Sequence, residues 1–234
     1  MSDLIKTDNA LRKRPCWNCR VEITDLYFCP SCASLLPLPE KIDYFRCLGL
    51  DYRLEIDREF LEETFYGLSR KFHPDLYQKK PQEERRISLE NAAILNRAYR
   101  TLRDPLKRVA YLIGLAEGKG DIPTEAPADL FDEILELQEG LEKAKGIAPS
   151  DADQKASLFQ TLEAEMEKLQ ARQDQGVQQL EALSEKWDRL EASRQDRAFT
   201  EAQMACLREM KKVLSHRAYL ERIINEIRTT VEGD

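Results

Sequence analysis

The chain holds little of what catalysts and membrane proteins need. Only two histidines occur in 234 residues, and no nucleophile elbow, glycine-rich phosphate cradle or His-Glu-x-x-His pattern accompanies them. No enzyme is expected. No apolar run approaches the roughly 20 residues of a membrane helix, so no membrane partner is expected either. The first residues hold Asp3 and Asp8 and no apolar stretch, which argues against a secretory signal; they are too short and too acidic for a transit peptide. Excess positive charge is also missing. With 36 Lys and Arg against 43 Asp and Glu, the net charge is −7, and that balance opposes a nucleic-acid backbone. A reducing compartment is expected, the cytoplasm in a bacterium or the mitochondrial matrix in a eukaryote.

What is present begins with cysteine. Cys16, Cys19, Cys29 and Cys32 form C-x2-C-x9-C-x2-C, two knuckles that can each offer two thiolates to one ion. Stable disulfides are rare in a reducing compartment, and a redox dithiol needs only one such pair, usually beside a βαβ unit. A metal clamp remains. Zinc takes four ligands at roughly 2.3 Å to sulfur, and four thiolates leave no open position, so one structural zinc is expected. Iron also suits a thiolate tetrahedron and stays open as the alternative. Between the pairs, "RVEITDLYF" alternates enough for a short β-hairpin, with Trp17, Tyr27 and Phe28 as a miniature core. So small a segment needs the metal for its folding energy. Cys47 and Cys206 stand alone and read as half-buried residues. Pro37 and Pro39 mark a linker.

Beyond it the pattern is helical. Tyr44, Phe45 and Leu48 share one side of a short helix that closes near Gly49. Asp57 is a candidate N-cap for "REFLEETFYGLSRKF". There Phe60, Leu61, Thr64, Phe65, Leu68 and Phe72 recur at helical spacing. Arg70 and Lys71 lie in its last turn, favourable for the dipole. His73-Pro74-Asp75 breaks the helix. Another starts at about Pro81, with Ile87, Leu89, Ala92, Leu95, Ala98, Tyr99 and Leu102 inside. Read chemically, Asp75 is an exposed, acceptor-only carboxylate suited to a partner's arginine. A catalytic His–Asp dyad is not expected, because the intervening proline lets the two side chains point apart.

Two antiparallel helices joined by His73-Pro74-Asp75 resemble a J-domain, and "DYFRCLGL" before them and "LNRAYRTLRDPLKRVAYLI" after carry the likeness further. The run "DPLKRVAYLI" is similar to that of HscB-type iron–sulfur cluster co-chaperones, and the cysteine-paired module resembles that of their eukaryotic-type members. The resemblance implies docking on a DnaK/HscA-class ATPase chaperone through His73, Pro74, Asp75, Arg70 and Lys71, with ATP hydrolysis accelerated in the partner. Glu62 and Glu63 depart from the usual basic helix face.

Three helical blocks follow. The first, "ADLFDEILELQEGLEKAK", ends at Gly146, and "SDAD" at 150–153 starts the second like a capping box. In the second, Leu158, Leu162, Met166, Leu169, Val177, Leu180, Leu183, Trp187 and Leu190 keep helical spacing. After a break near "SRQD", Phe199, Cys206, Met210, Val213, Leu220, Ile224 and Ile227 do the same. Such stripes usually make a bundle core. The second and third blocks are long, so a projecting arm or a homodimer through these helices is a further expectation. By the resemblance, Leu130, Phe131, Leu135, Glu136 and Glu139 match a surface for an IscU-type scaffold, with Tyr219 completing it. Asp132 and Gly140 depart from that pattern, and Phe131 and Leu135 read equally well as bundle core.

The expected fold is mainly α. A zinc-ribbon-like β-hairpin module (1–39) precedes a J-domain helical hairpin (40–117) and a C-terminal three-helix bundle (125–234). Two rivals remain. One is a zinc-ribbon nucleic-acid protein using Arg12, Lys13, Arg14, Arg20 and Trp17. The other is a general J-protein for unfolded clients, against which no Gly/Phe-rich linker or β-sandwich domain is visible.

Overall fold

The structure is a computed structural model. It describes residues 14–118, 122–146, 151–193 and 198–232, without the side chains of residues 131, 145 and 152. The chain divides into two compact units. One comprises Met1–Gly120 with Glu185–Met204, the other Asp121–Ser184 with Ala205–Asp234.

In the first unit, strands β1 (Arg14–Pro15) and β2 (Glu22–Ile23) pair antiparallel, Arg14 opposite Ile23 and Pro15 opposite Glu22. They bracket the first cysteine knuckle, and a bridge between Phe28 and Leu35 brackets the second. The expected hairpin within residues 20–28 does not form, because its strands pair across each knuckle instead of between knuckles. Both knuckles repeat one pattern. Cys16 N–H donates to Val21 O (2.8 Å) and Arg20 N–H to Cys16 O (3.1 Å); Cys29 N–H donates to Ser34 O (3.0 Å) and Ala33 N–H to Cys29 O (2.9 Å). Each reversal passes through a left-handed residue, Arg20 at φ 65° and Ala33 at φ 56°, a conformation uncommon outside glycine.

The segment expected as a linker is packed. Leu35 and Leu36 are fully buried and Leu38 nearly so. Leu35 N–H donates to Glu84 Oε1 (3.1 Å), Leu38 N–H to Asn91 Oδ1 (3.0 Å), and Asn91 Nδ2 to Leu36 O (2.9 Å). Prolines at 37 and 39 prevent a helix here, and side chains from a helix satisfy the backbone groups that burial would otherwise strand.

Four helices complete most of this unit. α1 (Tyr44–Cys47) is capped by Asp43, and α2 (Arg58–Phe72) by Asp57, which accepts from Phe60 N–H at 2.8 Å. α3 (Gln82–Arg103) runs back along α2, with the Phe65 and Tyr99 rings stacked 4.1 Å apart. α4 (Pro105–Glu117) starts at Asp104, which accepts from two amides, and ends at Gly118, whose φ of 71° suits a glycine C-cap. Leu61, Leu68 and Phe72 are buried as expected, but Phe60 is 55% and Leu89 59% exposed. Each sits one position from a buried residue (Leu61, Ser88), and one step turns a helix by about 100°. Cys47 and Cys206 are fully buried, not half-buried.

Trp187, expected in the bundle core, belongs to this first unit. Its indole N–H donates to Tyr52 O (2.6 Å) and its ring meets Phe199 edge-on at 5.3 Å. Beside it, the Asp188 carboxylate accepts from Leu54 N–H (2.6 Å) and Glu55 N–H (3.0 Å). The buried Arg108 donates to Leu54 O and Leu102 O. Loop 52–55 is thus held from both sides.

The second unit contains α5 (Phe131–Gly146), most of α6 (Ala152–Ala192) and most of α7 (Glu201–Glu232). Ile134, Leu137, Leu141 and Ala144 of α5 are buried. Leu137 and Leu141 share a core with Leu162 and Leu169 of α6 and Leu220, Ile224 and Ile227 of α7. This is a three-helix bundle, and one chain covers these stripe residues by itself. At Gly140 a Cβ would stand 3.4 Å from Leu162 Cδ2, ordinary contact, so the glycine lies on the face of α5 turned to α6. Among the described residues no helix is long and apolar enough to cross a membrane.

Candidate functional sites: a tetracysteine centre and an exposed His-Pro-Asp turn

The knuckles bring all four thiols together. Cys16 Sγ lies 3.7 Å from Cys32 Sγ, Cys19 Sγ lies 3.6 Å from Cys29 Sγ, and the four sulfurs all lie within 4.8 Å of one another. A tetrahedron with roughly 2.3 Å metal–sulfur bonds has sulfur–sulfur edges of about 3.8 Å, so the set fits one ion. Cys16 and Cys29 are buried, Cys19 and Cys32 half-buried. Donors already face the sulfurs: Asn18 N–H to Cys16 (3.4 Å) and Asn18 Nδ2 to Cys32 (3.7 Å). The Ser34 hydroxyl, 3.3 Å from Cys32 Sγ, and then the Ser34 amide draw the Cys32 thiol down to about 6. Thiolate is the ligating form. Cys16, Cys19, Cys29 and Cys32 would hold a closed, structural ion whose contribution is folding energy. Sequence reasoning missed Asn18 and Ser34; their only signal was small polar residues inside or just past a Cys-x-x-Cys pair.

Two of the residues a nucleic-acid surface would use are engaged elsewhere, while the Arg20 side chain is exposed. Trp17 indole N–H donates to Leu35 O (2.8 Å) and Arg14 Nη1 to Pro37 O (3.0 Å), while burial lowers the Arg14 pKa. Arg20 belongs to a knuckle reversal, and Arg12 and Lys13 lie outside the described residues.

His73 ends α2 with ψ 126°, and Pro74–Tyr77 form one 3-10 turn. His73 Nδ1 accepts from Asp75 N–H at 3.3 Å and stands 3.4 Å from Asp75 Oδ2. The expectation that the proline parts the two side chains fails, because the 3-10 turn folds Asp75 back. The pair remains open to solvent, with side chains 55% and 71% exposed, and Gln78 Nε2 donates to Asp75 Oδ1 (3.1 Å). Arg70 and Lys71 are exposed immediately before it. Two contacts steady the turn from beneath: Tyr77 O–H donates to Lys71 O (2.8 Å) and Ser88 O–H to Phe72 O (2.6 Å).

The third set divides. Leu135 is 49% exposed, and Glu136 and Glu139 are exposed with it. The bundle-core reading of Leu135 is therefore overturned; Ile134 and Leu137 take those places. Leu130 and Tyr219 are half-buried against the core, with the Arg222 guanidinium 4.8 Å from the Tyr219 ring centroid. Phe131 opens α5, and its side chain lies outside the described residues.

The helical hairpin with its exposed turn, the four clustered cysteines and the three-helix bundle make this a mainly helical protein with a small tetracysteine module. The fold is similar to that of human co-chaperone protein HscB, with a TM-score of 0.58 over 92% of this chain and 97% of that one, at 23% identity. No family model matches the chain. It is 34% identical over 199 residues to an iron-sulfur cluster co-chaperone protein HscB homolog of Arabidopsis thaliana, covering 85% of this chain and 74% of that protein. It is 32% identical over 139 residues to the mouse iron-sulfur cluster co-chaperone protein HscB, covering 57% and 59%. The chain belongs to the HscB family of iron–sulfur cluster co-chaperones, which are not enzymes.

Proposed function

We propose that this chain presents His73-Pro74-Asp75 to a DnaK/HscA-class chaperone, stimulates its ATPase, and brings to it an IscU-type scaffold carried on α5. The observation that carries this reading is the His73-Pro74-Asp75 turn between α2 and α3, with Asp75 exposed at 71%. An exposed carboxylate on a short turn offers a partner arginine two acceptor oxygens, and exposed Arg70 and Lys71 add positive charge beside it. In this reading α1–α4 form a J-domain, and the four cysteines hold one zinc that keeps the N-terminal module folded.

Single-turnover ATP hydrolysis by the cognate chaperone tests it. Asp75→Asn keeps the size and removes the charge, and the Asp75 carboxylate meets the exposed side chains of His73 and Gln78. Stimulation should fall to the chaperone's basal rate while the melting temperature stays put. Undiminished stimulation by Asp75→Asn reduces the segment to a turn.

A further inference from the structure

The tetracysteine module and the His-Pro-Asp turn share one residue, Phe72. It is the last residue of α2, directly before His73, and its ring is fully buried. The rings packed on it come from the module: Tyr27 at 5.5 Å and Phe28 at 6.3 Å between centroids. Phe28 is bonded to Cys29 in the chain and bridged to Leu35, so its place depends on the second knuckle. Tyr27 is tied further, its O–H donating to Cys47 O (3.1 Å) and its carbonyl accepting from Leu36 N–H (2.8 Å). The turn itself rests on the carbonyls of Lys71 and Phe72. Moving the Phe72 ring therefore moves the backbone from which His73 departs.

We propose that Tyr27 and Phe28 are positioning residues that hold Phe72, and through it the His73-Pro74-Asp75 turn, so that a filled tetracysteine centre is required for full chaperone stimulation. This rests on the reading of that turn as the chaperone contact. The thiolates alone repel one another, and a bound ion would tie residues 29–32 to 16–19 more firmly than the Asn18 contacts to Cys32 and Ser34 do. Remove it and Phe28 loses its anchor, while the α2–α3 hairpin keeps its own stacked pair, Phe65 on Tyr99. The turn would then sample more orientations with α2 and α3 still formed, a local opening instead of unfolding.

Three variants of the full chain and one treatment test this, each read by elemental metal content, amide hydrogen exchange and single-turnover ATPase stimulation. The reporter amide is Leu76 N–H, which donates to His73 O at 3.0 Å. Phe28→Ala should keep its metal, speed Leu76 exchange by roughly threefold to tenfold, as expected for one lost aromatic packing partner, and lower maximal stimulation. Phe28→Leu should restore most of both. Val21→Ala, at an exposed position of the same module, should match the parent. Chelation with the thiols kept reduced should reproduce the Phe28→Ala exchange, and added zinc should reverse it. If Phe28→Ala sheds its metal, the chelation arm decides alone. Parental Leu76 exchange in both the Phe28→Ala and the chelated protein overturns the proposal, as does a lowered melting temperature with exchange and maximal stimulation intact. If Asp75→Asn leaves stimulation undiminished, it is the chaperone reading that fails; Leu76 exchange then still decides whether the module positions the turn.

Discussion

Cys29 carries more than a ligand's share of the metal module. Its amide opens the second knuckle, its sulfur is buried 3.6 Å from that of Cys19, and Phe28 precedes it on the way to Phe72. Serine at 29 keeps the size but offers a poor donor to a soft-ligand site. Cys29→Ser should lose the single bound metal, checked by elemental analysis. The far-UV helical signal should stay nearly intact, because the described helices start only at Tyr44. Protein that binds no stoichiometric metal before mutation would remove the centre altogether. The cysteines were legible from spacing alone, since four thiols at two-residue intervals have few other uses. Asn18 and Ser34 were not, because nothing in a lone Asn or Ser announces which sulfur it will face.

The helix α5 offers a contrast between neighbours. Leu135 and Leu137 are two residues apart, yet one is 49% exposed and the other 4%, because two helical steps turn about 200°. Leu137→Ala should cost about 2–5 kcal/mol in denaturant unfolding, as for buried leucines generally. Leu135→Ala should leave that midpoint nearly unchanged and, on the proposed scaffold contact, weaken scaffold binding measured by calorimetry. Equal affinity in the stable Leu135→Ala protein would take this helix face out of the interface. Amphipathic spacing marked α5 as a helix, but it left open which apolar residues face the core. That was settled only by where α6 and α7 lie, since Leu137 and Leu141 share their core.

Within the first unit, two residues of Glu185–Met204 hold loop 52–55. Trp187 and Asp188 close on loop 52–55, and Asp188, 5% exposed, accepts two backbone amides across more than 130 positions of sequence. Asp188→Ala would leave the Leu54 and Glu55 amides without their acceptor, and a stranded buried donor costs about 1–3 kcal/mol. The unit of Met1–Gly120 with Glu185–Met204 should therefore unfold at lower denaturant, followed by tryptophan fluorescence. Trp187 emission reports this unit, its indole N–H bonded to Tyr52 O and its ring against Phe199. An unshifted transition would mean that water replaces the carboxylate without loss.

Local pattern was enough for the α2 cap at Asp57, the end of α1 near Gly49, the four clustered cysteines and the His-Pro-Asp turn. Each of these is decided by residues within one or two turns of each other, through periodicity, hydrogen-bond donors or proline geometry. The packed segment 35–38, the seat of Trp187, the exposure of Phe60 and Leu89, and the rings of Tyr27 and Phe28 on Phe72 were not legible. All of them depend on partners far away in the chain, such as Glu84 and Asn91 for Leu35 to Leu38. An apolar residue signals that it will be buried, but only the folded chain decides against what.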